Sequence, residues 1–361
     1  MNVEACLAAA TQACDKPLYL NFDGFVVQFN TNSSALISEL QVYYQHFMVA
    51  DTARVDQIVE GLQTPDEILP SFDWQIKQPD AGKSKVKEHL LFAAEGKVVR
   101  KVLTGVHLFF IGDRRVCVGP LEDNPNQVVN FINNMHLDHL LAPHGQLFHA
   151  SAVCANGVGL GMAGQSGKGK STLALRLLQQ GLDLVSNDRL VVQASTTSGL
   201  DMFGIAKYPR VNPGTVINQP ELVDIVTPEN LVRYQAMSSD MLWDLEEKYD
   251  AFVEPAFGCK FKLTASMKMF VILNWDRNDP SPPRLMRAQP ESCPELVETV
   301  MKSPGVMLPV SAARIGEAKV KPYVDLLKHC ELLILSGGVD FDLAASEIKS
   351  LLLTGSASEA Y

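Results

Sequence analysis

Lys170 and Ser171 close the octet Gly164-Gln165-Ser166-Gly167-Lys168-Gly169-Lys170-Ser171, which fits the pattern G-x-x-x-x-G-K-[ST]. Glycines at these intervals let successive backbone N–H groups curl around a polyphosphate with no Cβ in the way. A helix that starts at the end of the octet aims its N-terminal dipole at the same anion. In that arrangement Lys170 reaches the β- and γ-phosphates, the Ser171 hydroxyl ligates Mg²⁺, and Thr172 extends the first helical turn. A nucleoside triphosphate with Mg²⁺ is therefore the first expected ligand. Asp188 is the acidic residue expected beside this loop.

The flanks are those such a loop needs. Val158 to Ala163 is short, apolar and glycine-interleaved, as a buried strand leading into the loop would be. Downstream, Leu173, Ala174, Leu177 and Leu178 share one helical face, and Gly181 is a suitable stop. A second strand, Leu182 to Val185, ends in Ser186-Asn187-Asp188. The pattern predicts a βαβ unit with Asp188 leaving a strand's carboxyl end, where open α/β sheets bind ligands. The plainer alternative for Asp188 is a loop or capping aspartate.

The 361 residues suffice for two domains, and 47% hydrophobic residues with near-zero mean hydropathy describe an ordinary globular chain with a sizeable core. Net charge is −10, and no basic tract or aromatic-basic interleaving is present, so nucleic acid is not an expected partner. Seven scattered cysteines without a C-x-x-C pair fit a reduced, cytoplasmic setting better than a disulfide framework or a zinc site. Without a basic, apolar start or an apolar run near the ~18 residues of a membrane span, neither export nor membrane insertion is expected.

Two modules are predicted, residues 1–140 and 141–361. In the first, an α+β module, Leu18, Leu20 and Phe22 alternate with polar residues, Asp23-Gly24 makes a hairpin turn, and Phe25, Val27 and Phe29 resume the alternation. A helix starts near Asn32 or Ser33, residues 61–86 form an irregular connection, about three strands run from His89 to Val118, and Asn124-Pro125 caps another helix. This half shows no catalytic signal; partner or substrate recognition, or oligomerisation, is its expected work. In the second half, Lys207 to Thr215 is expected to be a rigid loop with two cations, Lys207 and Arg210, near the strand ends. A charged helical segment is expected around Leu242 to Tyr249. A strand spans Met267 to Leu273 and ends near Asp276, a turn residue or a water-mediated metal ligand, and a closing helix runs from Gly338 to Leu353.

The span from Leu147-Phe148-His149-Ala150-Ser151 through the octet to Val185-Ser186-Asn187-Asp188-Arg189 resembles the catalytic domain of bacterial HPr kinase/phosphorylase. That family's phosphate loop resembles the one in phosphoenolpyruvate carboxykinase. Four further stretches, Pro209 to Thr215, Leu242 to Asp250, Val300 to Gly305 and Gly337 to Asp342, are similar to a branch named HPr-kinase-related kinase B. For the first 140 residues the resemblance is only general. It implies an α/β fold: an HPr kinase or PEP carboxykinase-like P-loop domain, a mixed sheet with flanking helices, preceded by the smaller α+β module.

Carried over by position, the resemblance makes Lys170 and Ser171 the phosphate and magnesium residues. Asp188, 24 positions after Gly164, becomes the aspartate that takes the proton of a protein serine, and His149, 15 positions before Gly164, the active-site histidine. A hydroxyl is a poor nucleophile, and a carboxylate within hydrogen-bond reach can orient it and take its proton. This chain also departs from the pattern. Asn187-Asp188 replaces two adjacent aspartates, Thr172 replaces a glutamate, Tyr208 or Pro209 falls where a magnesium-binding glutamate is kept, and the Pro209 to Thr215 stretch replaces the segment for binding HPr and for phosphorolysis. Lys207 and Arg210 remain as candidates for the γ-phosphate or an anionic substrate.

The leading expectation is an ATP-dependent kinase acting on a hydroxyl, on Ser or Thr of an acceptor protein. The kinase B resemblance implies neighbours in a bacterial gene cluster, an ATP-grasp enzyme, a CofD-like protein and a small protein, as substrates or partners, and the hexameric HPr kinases imply a homo-oligomer. Two alternatives stand beside it: a small-metabolite kinase of the same fold, and an ATP-binding regulatory module that does not transfer phosphate.

Overall fold

The computed structural model describes residues 3–51, 54–64, 73–78, 85–93, 96–142, 145–238, 241, 242, 245, 247–308 and 319–354. The chain divides into two compact units, Met1–His139 with Pro304–Gly316, and Leu140–Ser303 with Glu317–Tyr361.

The first unit is built on one mixed sheet. In chain order its elements are α1 (Val3–Ala13), β1 (Lys16–Phe22), β2 (Phe25–Thr31), α2 (Ser34–Tyr43), β3 (Gln57–Gln63), β4 (Gln75–Ile76), β5 (Glu88–Ala93), β6 (Gly96–Lys101), β7 (His107–Ile111) and β8 (Arg114–Gly119). Helix α3 (Pro125–Leu141) follows and runs to the unit boundary. The strands lie in the order β1-β2-β3-β8-β7-β6-β5-β4. Asp23 and Gly24 turn the β1–β2 hairpin at positive φ, and the Ser33 hydroxyl caps α2 by accepting the Leu36 N–H at 3.0 Å. Four strands, not three, lie between Glu88 and Gly119, because the turn between Lys101 and His107 adds a reversal that the apolar pattern does not mark. The expected irregular connection over 61–86 lies largely outside the described residues; its described part holds the end of β3 and the short β4. Cys6, Leu7 and Ala10 of α1 pack with Leu62, Val98, Phe109, Val116 and Val118 of the sheet.

The second unit has β9 (Gln146–Phe148), β10 (Ser151–Ala155), β11 (Val158–Gly164), α4 (Lys170–Gln179), β12 (Asp183–Ser186), β13 (Leu190–Ser195), β14 (Gly199–Phe203), β15 (Arg210–Val211), β16 (Tyr249–Asp250), β17 (Thr264–Leu273), β18 (Arg284–Arg287) and β19 (Glu331–Ser336), with a closing helix over Phe341–Thr354. Seven strands follow the order β12-β10-β11-β17-β14-β13-β9, and β17 carries β19 and then β18 as a branch. The long β17 makes this branch possible: its first residues pair with β14 and its last five with β19. Flanking helices and both parallel and antiparallel pairs make this a mixed α/β domain.

Two expectations are corrected here. The βαβ unit is split: β10 pairs antiparallel with both β11 and β12, so the strands joined by α4 run parallel with another strand between them. The Pro209 to Thr215 stretch is not a loop. Arg210 and Val211 form β15 against β16, and Asn212 caps a short helix, Pro213–Ile217, accepting the Thr215 N–H at 2.9 Å. Of the helical segment expected around Leu242 to Tyr249, residues 243, 244 and 246 lie outside the described residues, and Tyr249 belongs to β16.

Candidate functional site

Gly164 ends β11 at a point where only glycine fits. A Cβ there would lie 2.8 Å from the Leu273 carbonyl oxygen of the neighbouring β17. The chain then turns through the exposed Gln165, Ser166 and Gly167, with the Lys168 N–H donating to the Gln165 carbonyl at 3.2 Å. Gly169, at φ 86°, is the N-cap of α4, so Lys170, Ser171 and Thr172 form its first turn. A Cβ on Gly169 would meet the Phe341 ring at 2.6 Å. A glycine cradle followed at once by a helix start fits a polyphosphate, and Ser171 in the first turn is the residue that would hold a cation bound to it.

The loop is fixed from the far side by a pair that the sequence does not advertise. Lys168 Nζ donates to the Trp275 carbonyl at 2.7 Å, and the Trp275 indole N–H donates to the Lys168 carbonyl at 2.8 Å. Trp275 is buried and meets Phe341 edge-on, with ring centroids 5.0 Å apart. Helix α4 is buried at Leu173, Ala174, Leu175, Leu177 and Leu178, one more position than the predicted face, and the closing helix lies along it. Lys349 of that helix caps the Gln180 carbonyl at 2.6 Å.

Asp188 leaves the end of β12, and His149 lies between β9 and β10. The structure brings them together: His149 Nε2 is 3.2 Å from Asp188 Oδ1. The approach is set by backbone pairing, since Phe148 bridges Met301 and the His149 N–H donates to the Val300 carbonyl at 2.7 Å. The same bridge delivers Lys302, whose Nζ lies 2.5 Å from Asp188 Oδ2. Burial pushes the Asp188 carboxyl up, but the His149 hydrogen bond and the Lys302 ammonium outweigh it and hold the group well below the usual carboxylate range. Asp188 is thus a carboxylate, half exposed, at neutral pH.

Lys170 feels both Asp188 and Lys302. Burial lowers its pKa, Asp188 opposes the shift, and Lys302 adds to it; its Nζ donates to the Gly164 carbonyl at 2.8 Å. Lys207 also belongs here. Burial, and then the nearby Arg189, push it down to about 8. Arg210 stands further out: it is exposed and pairs with Asp250 at 3.6 Å. Asp276 is a turn residue, its Oδ1 accepting the Asn278 N–H at 2.8 Å. Asn187, where the HPr kinases carry a second aspartate, accepts the Ser151 hydroxyl on its backbone carbonyl at 2.6 Å. Its side-chain oxygen is buried with no hydrogen-bond partner among the described residues.

Among the described residues, no cluster of three or more His, Cys, Asp or Glu could hold a metal by itself, so a magnesium ion would share its ligands with phosphate oxygens. Sequence reasoning missed Lys302 and Trp275 as site residues. Lys302 lies in the Val300 to Gly305 stretch and Trp275 just past a predicted strand, and neither position alone says what it touches.

No protein-family profile matches the chain. HPr kinase/phosphorylases from two strains of Clostridium kluyveri are 30% identical over 132 residues, 35% of this chain and 42% of theirs. Among solved structures, the Hpr(Ser) kinase/phosphatase from Coxiella burnetii aligns with 58% of this chain and 92% of that one, at 12% identity and a TM-score of 0.31. This chain therefore resembles HPr kinase/phosphorylases in sequence, over less than half the length of the curated relatives it matches.

Proposed function

We propose that the chain is an ATP- and Mg²⁺-dependent phosphotransferase that moves the γ-phosphoryl group of ATP to a hydroxyl, on Ser or Thr of an acceptor protein. The carrying observation is the pairing of Asp188 with His149 beside the Gly164 to Ser171 loop. A phosphate cradle alone supports nucleotide binding; a carboxylate at its edge, oriented by a histidine, supports transfer to a protonated acceptor.

In this reading the loop's N–H groups and the start of α4 hold the phosphates, and Lys170 turns from the Gly164 carbonyl to the γ-phosphate. Ser171 and Asp188 are the residues that would hold Mg²⁺, which when bound neutralises charge on the phosphates. His149 keeps the Asp188 carboxylate aimed. Asp188 takes the hydroxyl proton as the acceptor oxygen bonds to the γ-phosphorus; the bond to the bridging oxygen breaks, and its electron pair leaves with ADP. Lys207 and Arg210, with Arg189 close by, supply positive potential for the phosphates or for an anionic group on the acceptor.

The acceptor belongs to the same proposal. Resemblance to the kinase B branch supports a protein encoded near this one, such as an ATP-grasp enzyme or a CofD-like protein, in a cytoplasmic setting. Residues 1–140 would recognise it or hold a homo-oligomer together. No helix among the described residues is long and apolar enough to cross a membrane. Incubating the protein with Mg²⁺ and γ-labelled ATP in a lysate of its source tests the reading: label in one protein band supports it, label in a small molecule moves the acceptor class, and tight ATP binding without transfer to either leaves a regulatory module.

A further inference from the structure

Lys302 engages Asp188 twice. Its Nζ donates to Oδ2 at 2.5 Å and to the backbone carbonyl at 3.3 Å. With His149 on Oδ1, each carboxylate oxygen has a cationic or hydrogen-bonding partner. The lysine side chain is only 21% exposed, and its backbone continues directly from the Phe148–Met301 bridge that also sets His149. A surface lysine that met an aspartate by chance would lack that support, and a solvated pair of that kind contributes little.

The charge around the carboxylate is the second observation. Lys170 lies close enough to feel both Asp188 and Lys302, and Arg189 and Lys207 also lie within the field of Asp188. With Arg210 and Asp250, which also act on Lys207, two carboxylates stand among five cations. Such an excess of positive charge opposes folding unless an anion completes it, and the glycine cradle defines where that anion's phosphates lie. An ammonium has three donors and can serve a carboxylate and a phosphate oxygen together. The long 3.3 Å contact to the Asp188 carbonyl is the one a phosphate oxygen would displace.

We infer that Lys302 is a further catalytic residue of this site: its ammonium is shared between the Asp188 carboxylate and the γ-phosphate, a second lysine charge on the transferring group beside Lys170. The inference rests on the ATP-dependent transfer proposed above. It adds no bond-making step; Lys302 offsets repulsion between the proton-accepting carboxylate and the phosphoryl group that must approach it.

The test reads binding, not turnover. ATP and ADP are titrated with Mg²⁺ into the wild-type protein and the Lys302→Met and Lys302→Arg variants by calorimetry. ATP affinity is expected to fall about tenfold or more in Lys302→Met, while ADP affinity changes by less than about threefold, because only ATP brings the γ-phosphate to Asp188. Lys302→Arg should recover most of the preference for ATP; a merely structural contact would affect both nucleotides alike. Should Lys302→Met fail to fold, Lys302→Gln, which keeps a donor for Asp188 and drops the charge, is read in the same way. An unchanged ATP-to-ADP ratio in a folded variant overturns the role of Lys302 alone. Wild-type protein that binds neither nucleotide overturns the ATP reading and this inference with it.

Discussion

Lys168 and Trp275 exchange two hydrogen bonds, ammonium to carbonyl at 2.7 Å and indole N–H to carbonyl at 2.8 Å, across 107 residues of sequence. The pair ties the exposed turn of the phosphate loop to the end of β17, so the loop's shape is held by a buried aromatic as well as by its glycines. Replacing Trp275 with Phe keeps most of the ring volume and removes the indole donor. Stability is expected to fall by about 1–2 kcal/mol, with weaker ATP binding, measured by chemical denaturation and nucleotide titration.

Gly169 is constrained twice, by φ 86° and by the Phe341 ring. Ala at this position should cost roughly 1–2 kcal/mol for the left-handed conformation, and more for the contact. Phe341→Leu in the same chain should return only the contact part. Thermal melting of the single and double variants measures both contributions.

Much of this arrangement is legible in the sequence, and most of the missing parts share a cause. The octet is visible because binding a polyphosphate demands fixed residue types at fixed spacing, and the Asp23-Gly24 hairpin because a two-residue turn needs positive φ. Helix α4 and the closing helix follow from apolar periodicity. Strand β10, however, joins β11 through a two-residue Asn156-Gly157 hairpin, a local signal that sequence reasoning missed, while its place beside β12 comes from long-range pairing, which leaves no periodic trace. Lys302 reaches Asp188 across 114 residues for the same reason. Arg210 and Val211 look like loop beside Pro209 and Pro213, and only their partner β16 makes them a strand.

Lys207 should make nucleotide binding sensitive to alkaline pH. Burial and Arg189 place it at about 8, below the 10.5 of a free lysine. Between these values the unfolded chain holds more protons than the folded one, so this lysine's contribution to stability improves as pH rises through that window. Its charge, and with it the attraction for phosphate, declines over the same range. ATP affinity is expected to fall as pH is raised through about 8, and Lys207→Met should flatten that fall. Titrations of both proteins across a pH series check it; an equal slope in the two would remove Lys207 from the anion site.

Lys170→Ala removes the loop's ammonium, which lies against the Gly164 carbonyl. ATP binding or turnover should be lost, and a nucleotide titration with parallel turnover decides; unchanged values for both would remove the phosphate-loop assignment. His149→Ala should slow transfer less severely than loss of Asp188, because it removes an orienting partner and leaves the proton acceptor.

The central claim is that Asp188 accepts the acceptor's proton. The most direct measurement compares wild type and Asp188→Asn for ATP affinity and for transfer of label from γ-labelled ATP to the acceptor. The account predicts that the variant still binds ATP and that transfer falls by ~10²-fold or more. Transfer at the wild-type rate by Asp188→Asn would contradict it.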